Sequence, residues 1–228
     1  ITLFVLFLTT VSSVKRKKAT MIKVTDISTC GWDMAIMGMR APHKSYAKSD
    51  SVYKDGVYQL GPNDIDLALR LCKAGTEHRK FLRMIHCQMK ITAPFYFFKE
   101  QETYKVGTTS DSESTMHSIE KDEFKPEDFS YEHLNGEGYS LLHEIVDFLN
   151  KYRREYCANK NKEDWWQLIQ ILPSSYNQTR FFDCSMETLL NICHQRKNHK
   201  LDEWREFVKI ILKEVPYLEA FYNSTYGG

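Results

Sequence analysis

One run of residues limits the possible folds of this chain more than any other. Between His78 and Ile91 the apolar and β-favouring residues Phe81, Leu82, Met84, Ile85, Cys87, Met89 and Ile91 crowd together, and Pro94 closes the run. Such a density reads as a strand over Phe81 to Lys90, with Pro94 in the first turn of a helix over Phe95 to Gln101. On either side the apolar period changes to three and four. Ile65, Leu67, Ala68, Leu71 and Cys72 follow an Asn63-Asp64 N-cap and stop at Gly75, as a capped helix would. Leu142, Ile145, Val146, Leu149 and Tyr152 mark a helix over Leu141 to Tyr156. Trp165 to Ile171 runs on until Pro173, and Glu187 to Gln195 and Asp202 to Val215 are two more helices, joined by the basic Arg196 to Lys200 segment. A short strand, Ile22 to Val24, and a helix, Trp32 to Arg40, come first. Residues 41–61, 107–118 and 122–138 are rich in polar residues, Gly or Pro and read as irregular. The class is α+β and helix-rich.

A length of 228 residues suits one domain with a substantial core, taken here as residues 21–228. A net charge of +1 gives no global reason to expect nucleic acid or an anionic membrane as partner. A single-strand binder built on Trp165 and Trp166, flanked by Arg153, Arg154 and Lys160, would have the right residue types, but the near-neutral total argues against it. None of the six cysteines forms a Cys-x-x-Cys pair, so they read as reduced thiols of a cytoplasmic protein. Cys184, Cys193, His194 and His199 match no common zinc spacing, and no metal is expected. The apolar run Ile1 to Val11 precedes the cluster Lys15-Arg16-Lys17-Lys18, the reverse of a secretory signal. It is also shorter than the roughly 20 residues of a spanning helix. Residues 1–20 therefore read as an extension ahead of Met21, with a truncated anchor as the alternative.

Two segments resemble the flavin-dependent thymidylate synthases (ThyX). The first runs from Asn63 to His117 and carries Glu77-His78 before the apolar run, Ala93-Pro94 before a helix, and then a polar tract. The second runs from Leu172 to Glu206, with Leu172-Pro173, Thr179-Arg180-Phe181-Phe182, Leu189-Leu190-Asn191, Arg196 and Trp204. The resemblance implies a central antiparallel sheet flanked by helices and a homotetramer. It also implies flavin adenine dinucleotide (FAD) and deoxyuridylate at subunit interfaces, with methylenetetrahydrofolate and NADPH as co-substrates. It implies that Arg196 polarises the pyrimidine, that Ser114 and Thr108 contact the nucleotide, and that His78 and Lys105 contact the flavin. By the same register Thr103 falls in the cofactor site, and Glu113, Ser114, Arg180 and Arg196 in the substrate site.

The chain departs from that family at its Arg-His-Arg signature. The signature falls on Thr103-Tyr104-Lys105, with Thr108 at the following serine, so two guanidiniums give way to a hydroxyl and one ammonium. Lysine cannot reproduce bidentate phosphate binding. No arginine follows Ser114, and Ser185-Met186-Glu187 replaces the family's Asn-Ala-Arg. Hydroxyls and free amides between Thr103 and His117 can still hold phosphate, and Tyr104 offers a ring to stack. The alternative is a non-catalytic protein of the same fold that binds a nucleotide or a partner protein.

Overall fold

A computed structural model describes residues 22–227; the expected extension, residues 1–20, lies outside them. In chain order the elements are β1 (Lys23–Cys30), α1 (Trp32–Arg40), β2 (Val52–Lys54), β3 (Val57–Gln59), α2 (Pro62–Ala74), β4 (His86–Pro94), α3 (Phe95–Gln101), β5 (Thr108–Ser112) and α4 (Thr115–Ser118). Then follow α5 (Gly136–Asn159), α6 (Lys162–Ile171), β6 (Asn177–Ser185), α7 (Met186–Arg196), α8 (Asp202–Glu214) and α9 (Leu218–Tyr226). Four strands make an antiparallel sheet in the order β1-β4-β6-β5. Its centre is the pair β4 and β6, in register from His86 opposite Ser185 to Pro94 opposite Asn177. The fold is the helix-rich α+β arrangement expected.

Along β4, Cys87, Met89, Ile91 and Ala93 are buried while His86 and Gln88 are exposed. That two-residue period buries one sheet face. The main core joins it to Phe97 and Phe98 of α3, Leu189 and Ile192 of α7, Trp204, Phe207 and Ile211 of α8, and Phe221 of α9. A second core packs α5 against α6 through Leu142, Val146, Leu149 and Leu168, and takes in Phe124, Phe129 and Tyr131. Asn150 ties the intervening chain down, accepting from the Phe124 amide and donating to its carbonyl, both at 2.8 Å. The Tyr96 hydroxyl donates to Glu203 and meets Ser130 Oγ, linking α3, α8 and the second core's connecting chain.

Four expectations need correction. The strand begins at His86, not Phe81, because Lys80–Arg83 forms a 3₁₀ turn. Phe81, Leu82 and Ile85 are all buried, and consecutive buried residues cannot alternate on a strand. Within the expected 107–118 loop, Thr108–Ser112 pairs with β6 as an edge strand, polar because both of its faces are largely exposed. Helix α2 starts at Pro62 after Gly61, so Asn63 and Asp64 lie inside it. The expected irregular stretch 41–61 carries the hairpin of β2 and β3, whereas 122–138 is largely irregular but belongs to the core through Phe124 and Phe129, the latter bridging to Tyr176. The strand β6 and the helix α9 had no periodic signal strong enough to read.

Candidate functional site

The site is a cleft of about 740 Å³ where β6 runs into α7. Three pieces of chain build it. Thr76, Arg79 and Arg83 come from the turns after α2, Thr103 to Gly107 from the turn after α3, and Ser185, Glu187, Thr188 and Asn191 from the start of α7. Tyr226 of α9 closes one side.

Each piece is held for a local reason. Ser185 caps α7, its Oγ accepting from the Thr188 amide at 3.2 Å. Gly107 takes φ +65°, and the space beside its Cα is bounded by the Thr188 and Ser185 hydroxyls; a side chain here would be strained and would narrow the cleft wall. Thr108 Oγ1 donates to the Tyr104 carbonyl at 2.6 Å, closing the 104–108 turn. The 3₁₀ turn, with Arg79 as its N-cap and Arg83 as its last residue, brings both arginines to the same wall.

Charge is unevenly spent across the cleft. Arg79 donates to both Glu187 oxygens, at 3.1 and 2.9 Å. That carboxylate holds the Arg79 guanidinium's pKa above its ordinary range. Burial pushes the Tyr226 phenol up, the neighbouring Arg79 offsetting only part of it, so the phenol stays protonated. Arg83 and Lys105 have no ion-pair partner among the described residues and line the cleft as free cations. The cleft therefore offers two unspent positive charges, the Thr76 hydroxyl, an amide at Asn191 and two phenol rings, while the Thr103, Ser185 and Thr188 hydroxyls are engaged within the chain. That donor set suits an anionic ligand with a planar part.

Of the residues predicted from sequence, Thr103 and Lys105 line the cleft. Thr108 lies behind it as a brace. His78 is exposed in the turn between Thr76 and Arg79, which do line it. Arg196, at the end of α7, reaches the cleft's edge through Tyr104: its Nε donates to the Tyr104 hydroxyl at 2.7 Å, and its guanidinium lies 5.0 Å from the Trp204 ring centre. Arg180 of β6 sits over the Phe98 ring at 4.2 Å and donates to Gln178 at 2.9 Å. Glu113 and Ser114 are elsewhere. They follow β5 at its far end and border a separate hollow with His117, Phe124 and Tyr176. A five-residue strand separates them from the cleft, roughly 17 Å of extended chain. One chain does not bring all the predicted residues together.

Sequence reasoning put Arg83 on a strand and Arg79 beside it, met Ser185, Glu187 and Asn191 only as positions in the ThyX register, and passed over Thr188. The polar set Glu187, Thr188, Asn191 and Gln195 on a helix that buries Leu189, Leu190, Ile192 and Cys193 was a usable signal. It also passed over two carboxylates, Glu100 and Glu102. Glu100 accepts from Arg196 Nη1 at 3.0 Å, and Glu102 from Arg180 Nη1 at 2.6 Å.

ThyX (thymidylate synthase X) from Helicobacter pylori, solved with FAD and dUMP, matches with a TM-score of 0.65 at 17% identity, over 90% of this chain and 99% of that one. The chain has a ThyX-like fold. A second structure of the flavin-dependent thymidylate synthase ThyX from Helicobacter pylori, complexed with FAD and dUMP, gives 0.63 at 17% identity over 86% and 98%. No protein-family model and no curated protein matches the sequence. The ThyX-like sheet and helices are present, whereas the Arg-His-Arg triplet of that resemblance is Thr103-Tyr104-Lys105 here. Among the described residues no helix is long and apolar enough to cross a membrane.

Proposed function

We propose that the chain is a ThyX-like flavin-dependent enzyme that methylates, or otherwise alkylates, a deoxyuridine nucleotide, drawing on methylenetetrahydrofolate and NADPH. One observation carries this reading: on a ThyX-like fold, the cleft joins two unpaired cations, Arg83 and Lys105, to Tyr104, which Arg196 holds by its hydroxyl. The donor set fits FAD. Arg83 and Lys105 would face its diphosphate, with the Thr76 hydroxyl as a further donor, and Tyr104 or Tyr226 would flank a ring.

When bound, the flavin supplies the redox chemistry. The chain's own residues bind and orient. Arg196 carries a permanent guanidinium on a rigid helix end, braced by Tyr104 and Trp204, and is suited to stabilise negative charge on a pyrimidine carbonyl. Arg180 is the second substrate-side cation. Glu113 neighbours Arg180 within the chain, its carbonyl accepting from Gln178 Nε2, but with Ser114 it lies away from the cleft; in a homotetramer with shared sites a second copy would place these two residues against the cleft of the first. The exposed Phe181, on the uncovered face of the sheet, is consistent with such packing.

The test is anaerobic incubation of the purified chain with FAD, NADPH, deoxyuridylate and methylenetetrahydrofolate, with mass analysis of the nucleotide. A gain of one methyl group supports the reading. A protein that cannot be reconstituted with excess FAD sinks it. The carboxylates on Arg180 and Arg196 favour the alternative of a non-catalytic nucleotide-binding or partner-binding protein; under it, nucleotide raises thermal stability by linkage while FAD has no effect.

A further inference from the structure

The two substrate-side arginines are not free to receive an anion. Arg180 is 15% exposed and its partner Glu102 is 59% exposed; Arg196 is 14% exposed and Glu100 is 44%. In both pairs the guanidinium lies inside and the carboxylate approaches from the solvent side. Both carboxylates come from the end of one short helix: Glu100 is in its last turn and Glu102 is its C-cap. Gln101 between them is buried, which anchors the segment and sends its neighbours outward. The inner faces of the arginines are occupied as well. Arg180 lies on Phe98 and donates Nε to Gln178, while Arg196 donates Nε to Tyr104 beside Trp204. Each guanidinium therefore has an aromatic floor, a neutral acceptor at Nε and a resident anion on its Nη1.

We infer that Glu100 and Glu102 are specificity-determining residues: built-in counter-anions that a substrate phosphate or pyrimidine carbonyl must displace from Arg180 and Arg196. The inference rests on the proposed role of those arginines in binding a deoxyuridine nucleotide. A single anion meeting one arginine gains little, since it exchanges one carboxylate contact for another. A ligand that meets both arginines, and binds the rest of the site, displaces both carboxylates at once. The pairing thus discriminates against free phosphate and small acids and sets the affinity for the nucleotide. The exposure of the carboxylates makes displacement feasible, because a partly exposed glutamate recovers its hydration when it swings away.

The experiment measures deoxyuridylate, deoxyuridine and FAD binding by calorimetry to the full chain and to Glu102→Gln, Glu100→Gln and the control Asp66→Asn. Asp66 forms a surface pair with Arg70 on α2, so the control removes the same charge elsewhere. Glu102→Gln is expected to tighten deoxyuridylate by about tenfold, as one charge-assisted hydrogen bond is released to the ligand. Deoxyuridine, which lacks the phosphate, should be unmoved by Glu102→Gln but tightened by Glu100→Gln. Asp66→Asn should change neither. Deoxyuridylate binding that is unchanged, weaker or absent in Glu102→Gln, with the variant's thermal melt intact, overturns the inference. FAD binding is read separately and should be equal in all four proteins; its absence would sink the flavin reading without bearing on the nucleotide titrations.

Discussion

At the scale of single residues, the cleft's chemistry rests on where charge remains unspent. Of the three cations lining the cleft, Arg83 and Lys105 have no carboxylate partner among the described residues, and their loss should weaken an anionic cofactor most. Arg83→Gln and Lys105→Gln should each lower FAD affinity about tenfold or more, the scale of a hydrogen bond to a charged group, measured by flavin fluorescence. Arg79→Gln mixes two effects, because it also frees Glu187 inside the cleft. The cysteines divide as clearly. Burial pushes the Cys72, Cys87 and Cys193 thiols up to about 12 and Cys184 well upward. Cys30 and Cys157 are exposed. Alkylation of the native protein near neutral pH should therefore label Cys30 and Cys157, and all six only after unfolding; mass spectrometry reads the difference. Thr103 and Lys105 were legible as cleft-lining positions because a family register picks out positions. Arg83 was not. A one-dimensional reading assigned it to a strand, and only the consecutive burial of Phe81 and Leu82 shows that the backbone turns there.

At the scale of elements, two junctions hold the frame around the site. The first is the buried Asp64 of α2. It accepts from Arg40 Nε at 2.6 Å, from both Ser49 and Ser51 hydroxyls, and from the Asp50 and Ser51 amides. Burial alone would raise its pKa, but the bonds from Ser51, Ser49, Arg40 and the Asp50 amide outweigh that and hold it below the ordinary carboxylate range. A depressed carboxylate stabilises the fold at pH values above its unfolded pKa, and that stability is lost as pH falls through the lower folded value. Stability should therefore drop below about pH 4. Asp64→Asn should flatten that dependence and cost about 3–5 kcal/mol at neutral pH, since it leaves Arg40 buried without its counter-charge. Urea unfolding at several pH values tests both parts. The second junction is Gly31, between β1 and α1, with φ +84°. A Cβ there would sit 2.3 Å from the Met84 carbonyl oxygen. Gly31→Ala should lower the urea midpoint by the equivalent of at least about 1–2 kcal/mol, from the left-handed backbone alone. Helices with a clear three-and-four period were legible in advance. The edge strand β5 was not, because a strand largely exposed on both faces carries no alternation to read.

At the scale of the whole molecule, the predicted residues fall in two places. The cleft lies at one end of β5, and Glu113 with Ser114 at the other. If shared sites are the reason, light scattering should give four times the chain mass of 26.9 kDa, and dilution to the monomer should abolish nucleotide binding. A monomer that binds deoxyuridylate at full affinity would refute the shared site. The fold was legible from two segments whose order matched a known architecture. The site was only partly so, because a list of residues carries no information on which subunit supplies each one.

The placement of these cations has one more consequence. Of the positive charge that the Arg-His-Arg pattern would put on the turn after α3, Lys105 keeps one on that turn and Arg83, about twenty positions upstream, faces it across the cleft, so a scan for the pattern alone passes over this chain. Its distant kin are better sought by asking which side chains share a wall than by asking which letters stand in a row.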